Sequence, residues 1–164
     1  QIGYRAKGAF FVKLDATQGA ENSKHSLKID FDLVKAGRNM FASTENRSKR
    51  DLSLFNSIEF YVKADIPVTG HVAIFTSERE NPNIIDAWVG NFEIGTSWKL
   101  IRIPFEQLTV GRGWIKKGAE RFGAKPGKQI LDISRVESIR VGVHSSNNPP
   151  VKGTVWIDNV RFYR

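Results

Sequence analysis

Residues 26–33 read SLKIDFDL, and the alternation within them decides the fold class. The apolar side chains of Leu27, Ile29 and Phe31 fall on one side of an extended chain, and the charged side chains between them fall on the other. A strand of this kind must pair in a sheet whose apolar side covers a core. Residues 26–33 are therefore predicted to form a half-buried antiparallel strand.

The same two-residue period recurs along the chain, and turn residues separate the segments. So many short strands exceed what one open sheet of this length holds, whereas two sheets packed face to face bury all the apolar sides. The prediction is one all-β domain over residues 1–164, a two-sheet antiparallel β-sandwich of the jelly-roll kind. Further strands are predicted at residues 10–14, 58–63, 71–76, 87–94, 98–105, 138–144 and 154–163, with short helical turns near 52–55 and 104–108 and an irregularity at 158–159.

Length and composition exclude several classes of protein. The 164 residues can bury about 70% of the surface of the unfolded chain without disulfides. The absence of cysteine excludes thiol nucleophiles, zinc fingers and iron–sulfur ligation. The longest fully apolar run has four residues, so no membrane partner is predicted. The start at Gln1, without Met or an apolar leader, predicts a mature or excised fragment.

The formal charge of +8 is concentrated in two segments. Residues 111–128 contain six basic residues, one acid and five glycines, which predicts an exposed loop. Residues 35–51 contain five basic residues and two acids. A basic loop with interleaved Trp114 and Phe122 suits an anionic glycan, a neutral sugar or nucleic acid, and it equally suits a solvated surface. Composition leaves these interpretations open.

Catalytic motifs are absent from the sequence. It contains no G-x-S-x-G elbow, no phosphate-binding loop and no H-E-x-x-H, and its three histidines (His25, His71 and His144) lack metal-ligand spacing. No pair of carboxylates stands out as a glycosidase dyad. We therefore predict no catalytic residue and no enzyme activity.

Three blocks of the sequence resemble a known family. They are SWKLIRIPF at residues 97–105, LDISRVESIRV at 131–141 and VWIDNVRF at 155–162. They are similar to the C-terminal half of family 11 carbohydrate-binding modules and related galactose-binding-like jelly rolls, a group that includes the complex I intermediate-associated protein 30 family. The resemblance covers most of the chain from about Asn22 onward. It implies a non-catalytic module that holds a glucan chain in a cleft on one sheet and keeps an attached glycoside hydrolase near its substrate.

The resemblance assigns part of a binding site. The family's carboxylate before its Ser-Ile strand corresponds to Glu137, and its cleft loop before a Pro-Gly pair corresponds to Arg121 and Phe122, with one Asp missing. A Tyr on an early strand has Phe41 or Met40 as its nearest counterpart. These departures leave both a mixed-linkage β-glucan and a different or acidic glycan as ligands.

Other candidate contacts follow from residue type and strand position. Sugar rings expose apolar C–H faces that pack on aromatic rings, and their hydroxyl groups need planar polar partners. Outward positions on the predicted strands, and the basic loop, offer such side chains. The further predicted contacts are Tyr61, Trp114, Arg140, His144 and Trp156, whereas Trp88 and Trp98 are predicted to pack in the core.

The resemblance also implies a cofactor and partners. Related modules often hold a structural Ca²⁺ between the N-terminal segment and the last strand, where Asp158 with Asp15 or Glu21 would supply carboxylate ligands. The implied partners are a polysaccharide and the catalytic domain of a secreted, extracellular parent enzyme, with no nucleic acid.

Two alternatives stay open beside this hypothesis. The first is a protein-interaction or assembly domain of the complex I-associated type, whose sheet face would be blocked and whose basic loops would contact a protein. The second is a small enzyme acting on acidic glycans, in which basic side chains neutralise carboxylates and His144 or Tyr61 acts as a base.

Overall fold

The computed structural model describes residues 10–36, 41–78, 80–81, 84–111, 127–145 and 147–164. Within them lie a four-residue helix, Leu33–Ala36, and 3₁₀ turns at Phe105–Gln107 and Ile133–Arg135. None of the helices in these ranges has the length and apolar character of a membrane span. The strands are β1 (Phe10–Asp15), β2 (Ser26–Asp32), β3 (Phe41–Asn46), β4 (Ser57–Ala64), β5 (Val68–Ser77), β6 (Ile85–Ile94), β7 (Lys99–Pro104), β8 (Thr109–Val110), β9 (Val136–His144) and β10 (Lys152–Tyr163).

The strands form two five-stranded sheets with antiparallel pairing. Sheet A has the order β1-β2-β10-β4-β7, and sheet B has the order β3-β9-β5-β6-β8. Each sheet mixes strands from both halves of the chain, so neither sheet can be completed before the C-terminal strands β9 and β10 are in place. The predicted all-β sandwich of two antiparallel sheets is confirmed.

The core lies between the sheets and consists of the side chains that the alternation places inward. Ile29 and Phe60 of sheet A and Ile74 of sheet B are fully buried there. Phe60 packs edge-on against Phe92 of the opposite sheet, with ring centroids 5.1 Å apart. Gly70 makes this packing possible, because a Cβ at that position would lie 2.5 Å from the Phe92 ring. The two-residue period therefore accounts for the core.

The two tryptophans predicted to be in the core lie in different places. Trp88 is buried in the core, and its Nε1 donates a hydrogen bond to Thr76 Oγ1 at 3.2 Å. Trp98 lies instead on the outer side of sheet A, half-buried, with Lys63 Nζ 5.1 Å from its ring centroid. The core prediction for Trp98 is wrong because the residue precedes β7 and its ring lies beside Lys63, which points outward from β4.

Two strands were not predicted, and both lie at an edge of sheet B. β3 reads FASTEN, and its inward Ala42 and Thr44 are too small or too polar to give an apolar alternation. β8 has only two residues. The predicted irregularity in the last strand is confirmed as a register shift between Asp158 and Arg161, where Asn159 adopts a φ of 50°.

Phe60→Ala is expected to lower the free energy of unfolding by about 3–5 kcal/mol, because the lost ring leaves a cavity at the centre of the core. Leu100→Ala, on the exposed side of the neighbouring strand β7, is the matched control and should change it by less than about 1 kcal/mol. Urea unfolding followed by tryptophan fluorescence measures both variants. Equal losses would contradict the inward position of Phe60.

Candidate functional site

The outer side of sheet B brings together side chains that are far apart in the sequence. Because side chains alternate along each strand, the strand register defines rows that run across β3, β9, β5 and β6. We call this surface the sheet B face. Its rows are Phe41 opposite His144, with Thr69 opposite Glu93; then Ser43, Gly142, His71 and Asn91; then Glu45, Arg140, Ala73 and Val89; then Ser138, Phe75 and Ala87.

A buried ion pair lies at the centre of the sheet B face. Arg140 Nη2 is 3.2 Å from Glu45 Oε2, and both side chains are buried. Ser138 Oγ donates a hydrogen bond to Glu45 Oε1 at 2.9 Å, and Arg47 Nε approaches Oε2 to 3.3 Å. Burial raises the pKa of Glu45, but Arg140, Ser138 and Arg47 together outweigh it and lower that pKa. The carboxylate is therefore ionised and compensated at neutral pH.

Two histidines lie beside the ion pair. His71 is fully buried, and its ring packs edge-on against that of His144 with centroids 6.1 Å apart. Burial, with smaller effects of His144 and Arg140, lowers the pKa of His71 to about 3. Burial also lowers the pKa of His144. Both imidazoles are therefore neutral at pH 7.

The sheet B face combines an apolar layer with a polar rim. Ala73, Phe75 and Ala87 form a second buried apolar cluster, with Val89 partly buried beside them. The rim lies towards the start of β5 and the end of β6. Its accessible side chains are the exposed Asn91, Glu93 and Asn147 and the half-buried Thr69 and His144.

Hydrogen bonds order the side chains of this rim. Thr69 Oγ1 donates to Glu93 Oε1 at 3.0 Å, and Asn147 Nδ2 donates to Asn91 Oδ1 at 3.0 Å. Asn91 and Glu93 occupy outward positions of the predicted strand 87–94. The two-residue period of that strand could therefore have predicted that both side chains face solvent. They were missed because amide and carboxylate side chains on an outward strand position are common on any surface.

The described ends of the basic segment are hydrogen-bonded to β6 of sheet B. Gly111 N donates to Ala87 O at 2.8 Å, and Gly127 N donates to Asp86 Oδ1 at 2.8 Å. Gln129 N reaches the other oxygen of Asp86 at 3.0 Å. The residues on either side of 112–126 are therefore anchored at adjacent positions of β6.

Of the nine predicted ligand contacts, the five whose side chains the structure describes divide between two sides of the sandwich. Arg140 and His144 lie on the sheet B face, and the backbone of Phe41 pairs with that of His144. Glu137 lies at its far end, where it accepts a hydrogen bond from Ser77 Oγ at 2.6 Å. Tyr61 and Trp156 lie on the outer side of sheet A, and Trp114, Arg121 and Phe122 lie outside the described residues.

The prediction of Trp156 as a stacking platform is wrong for the described surface. The residue points outward as predicted, but it is only 9% exposed. Its Nε1 donates to Asp15 Oδ2 at 2.9 Å, and Nζ atoms of Lys28 and Lys63 lie 5.6 and 5.0 Å from its ring centroid. Tyr61 is also separated from Arg140 and His144 by the whole core, so these residues cannot form one site.

The predicted calcium ligands all accept hydrogen bonds from other groups of the protein. Hydrogen bonds from Thr17 and Trp156 lower the pKa of Asp15 to about 2. Asp158 Oδ2 accepts from Ala20 N at 2.8 Å, and the Glu21 carboxylate accepts from the Tyr61 hydroxyl. Among the described residues, no group of three or more metal-ligating side chains comes together. Calcium binding therefore stays a prediction of the resemblance.

The fold is shared with several solved carbohydrate-binding modules. A family 11 module from Clostridium thermocellum, in complex with a β-1,3-1,4-mixed-linked tetrasaccharide, matches with a TM-score of 0.71 at 16% identity, over 94% of this chain and 83% of that one. A family 30 module matches with a TM-score of 0.64 at 13% identity, over 99% and 76%. An exo-β-agarase matches with a TM-score of 0.60 at 15% identity, over 94% of this chain and 22% of that one.

Identities this low show the fold alone, and no curated protein sequence matches the chain. The family model described as carbohydrate binding domain 30, however, matches residues 4–164. The resemblance to family 11 modules is thereby confirmed as a relationship of fold. With a match over nearly its whole length, the chain belongs to the carbohydrate binding domain 30 family and is a non-catalytic carbohydrate-binding module.

Proposed function

We propose that the sheet B face binds a neutral polysaccharide, a β-glucan chain, and that the module keeps an attached glycoside hydrolase near this substrate outside the cell. The family 11 module named above is in complex with a mixed-linked tetrasaccharide, which supports a β-glucan. The match covers only 22% of the exo-β-agarase chain, so in that protein a similar fold is part of a larger enzyme. This supports attachment of the module to a larger enzyme. An agarose-type galactan is therefore the comparison ligand.

The charge balance of the sheet B face carries this proposal. Arg140 and Arg47 share the Glu45 carboxylate, and Lys49 Nζ lies 3.2 Å from Glu137 Oε2. Glu93, an exposed carboxylate of the same face, accepts a hydrogen bond from a hydroxyl group. Among the residues of this face that the structure describes, these three cations face three anions, and both histidines are neutral. This described part of the surface therefore offers no excess positive charge to an acidic glycan.

The rim offers the groups that a neutral sugar needs. Pyranose hydroxyl groups both donate and accept, and Asn91, Glu93, Thr69 and His144 supply amide, carboxylate, hydroxyl and imidazole partners. The half-buried Val89 next to them offers apolar surface for a sugar C–H face. Because these side chains stand on paired strands, little conformational freedom is lost when they bind. Trp114, Arg121 and Phe122 stay predicted contacts.

Affinity electrophoresis in gels containing mixed-linkage β-glucan, mannan, xylan or agarose tests the proposal. We expect retardation in β-glucan that changes little between about 0.05 and about 0.5 M salt, because this glycan carries no charge whose attraction salt could screen. Retardation in no neutral glycan would overturn the proposal. A specific protein partner in its place would favour the assembly alternative.

Asn91→Ala is expected to raise the dissociation constant for β-glucan about threefold to tenfold, the effect of losing one hydrogen bond to the ligand. Asn56→Ala, an exposed asparagine just before β4 of sheet A, is the matched control and should leave binding unchanged. Isothermal titration with a soluble β-glucan oligosaccharide measures both. Equal effects would place the ligand elsewhere.

Acidification is expected to destabilise the fold through His71. Its pKa of about 3 in the fold lies below the ordinary value of 6.5, so between these values the unfolded chain binds a proton that the folded chain does not. This stabilisation is complete above pH 6.5 and is lost as the pH falls towards 3, at up to about 1.4 kcal/mol per pH unit.

Urea unfolding at about pH 7 and about pH 4 measures this effect. His71→Asn should show a smaller loss of unfolding free energy on acidification than the unsubstituted chain, whatever its stability at neutral pH. His25→Asn changes an exposed histidine and should show the full loss. The same loss in all three proteins would contradict the burial of a neutral His71.

A further inference from the structure

The outer side of sheet A carries a second array of side chains, on β10, β4 and β7. We call it the sheet A face, and the core separates it from the sheet B face. Successive rows stand about 7 Å apart, which is two residues along a strand. The rows are Trp156 and Lys63 beside Trp98; Asp158, Tyr61 and Leu100; Arg161, Glu59 and Arg102; and Tyr163, Ser57 and Pro104.

In the third row, one buried carboxylate holds two arginines. Glu59 is fully buried, Arg161 Nε donates to its Oε2 at 3.1 Å, and Arg102 Nε pairs with its Oε1. The arginine side chains remain 48% and 54% exposed for Arg102 and Arg161. In the part of the chain that the structure describes, neither arginine pairs with a second carboxylate. The row therefore presents a net positive charge to solvent.

The two guanidinium groups are held in place before any ligand arrives. The guanidinium carbon of Arg102 lies 4.0 Å from the ring centroid of Tyr163, which is itself exposed. Both described contacts with Glu59 use Nε, so the terminal Nη groups are available for a ligand. A fixed planar guanidinium matches the two oxygens of a carboxylate or sulfate, and its order reduces the entropy lost on binding.

We propose that Arg102 and Arg161 form a second ligand site, which binds the carboxylate or sulfate group of an anionic polysaccharide. The exposed Tyr163 and Leu100 flank the arginine row and offer apolar surface to the sugar rings. The next row contains Asp158, which interrupts the positive charge along the sheet. This pattern suits isolated anionic groups on a glycan chain better than the closely spaced phosphates of a nucleic acid.

Binding of pectate and alginate, which carry carboxylates, and of carrageenan, which carries sulfates, tests the site and distinguishes the two groups. Arg161→Gln is expected to weaken the binding of at least one of these glycans about tenfold or more, the loss for charge-assisted hydrogen bonds. Lys152→Gln removes one exposed charge from the other end of β10 and is the matched control, expected to bind like the unsubstituted protein. Binding of β-glucan on the opposite face should not change in either variant.

Two further variants distinguish specific recognition of the anionic group from a general effect of charge and from a loss of folding. Arg161→Lys keeps the charge but lacks the planar fork, so it should lose binding as Arg161→Gln does. Tyr163→Leu leaves the ion pairs with Glu59 intact and should weaken binding about threefold or more, which tests the site even if an arginine variant unfolds.

The proposal is overturned if no anionic glycan binds at low salt, or if Lys152→Gln weakens binding as much as Arg161→Gln does. It is also overturned if single-stranded DNA binds as tightly as the glycans with the same dependence on Arg161. If the unsubstituted protein binds an anionic glycan but no β-glucan, the proposed function is contradicted and this second site is not. Failure of the proposed function can therefore be distinguished from failure of the second site.

Discussion

Burial of one side of each sheet in a shared core is the constraint on which both outer faces depend. Phe60 of sheet A and Phe92 of sheet B meet across this core, and their contact fixes the distance between the sheets. Every second residue of a strand is thereby committed to packing, and only the others can contact a ligand. The core thus makes the faces rigid and keeps the side chains of the two proposed sites apart.

The two faces use buried charge in different ways. On the sheet B face, Arg140 and Glu45 are both buried, and their mutual contact offsets the free energy that either would lose by leaving water alone. On the sheet A face only the carboxylate of Glu59 is buried, while its two arginine partners reach solvent. In the first arrangement the opposite charges compensate each other inside the protein. In the second, an excess of positive charge is exposed to solvent. Net charge summed over the chain hides this difference.

Strand alternation predicted which side chains point inward but not which outer face receives the rest. Arg140 and Trp156 both point outward as expected, yet one lies on sheet B and the other on sheet A. That distinction depends on the order of strands, which is set by pairings between residues more than a hundred positions apart, such as Ile157 with Leu27. A local period of two contains no information on such pairings. The exposure of an outward side chain cannot be predicted from the local period for the same reason. The lysines that cover Trp156 come from the distant strands β2 and β4.

Separation by a packed core also determines how the two faces influence each other. Ligands on opposite sides of a close-packed sandwich share no side chain, and contacts with no shared partner contribute nearly independently to the free energy of binding. A chain that binds a neutral glycan on one side and an anionic group on the other would therefore gain affinity only where both components lie within reach of the same module. Such gain comes from effective concentration, without any change in either site. The rigidity that fixes each proposed site would thus also allow the two kinds of binding to coexist in one small domain.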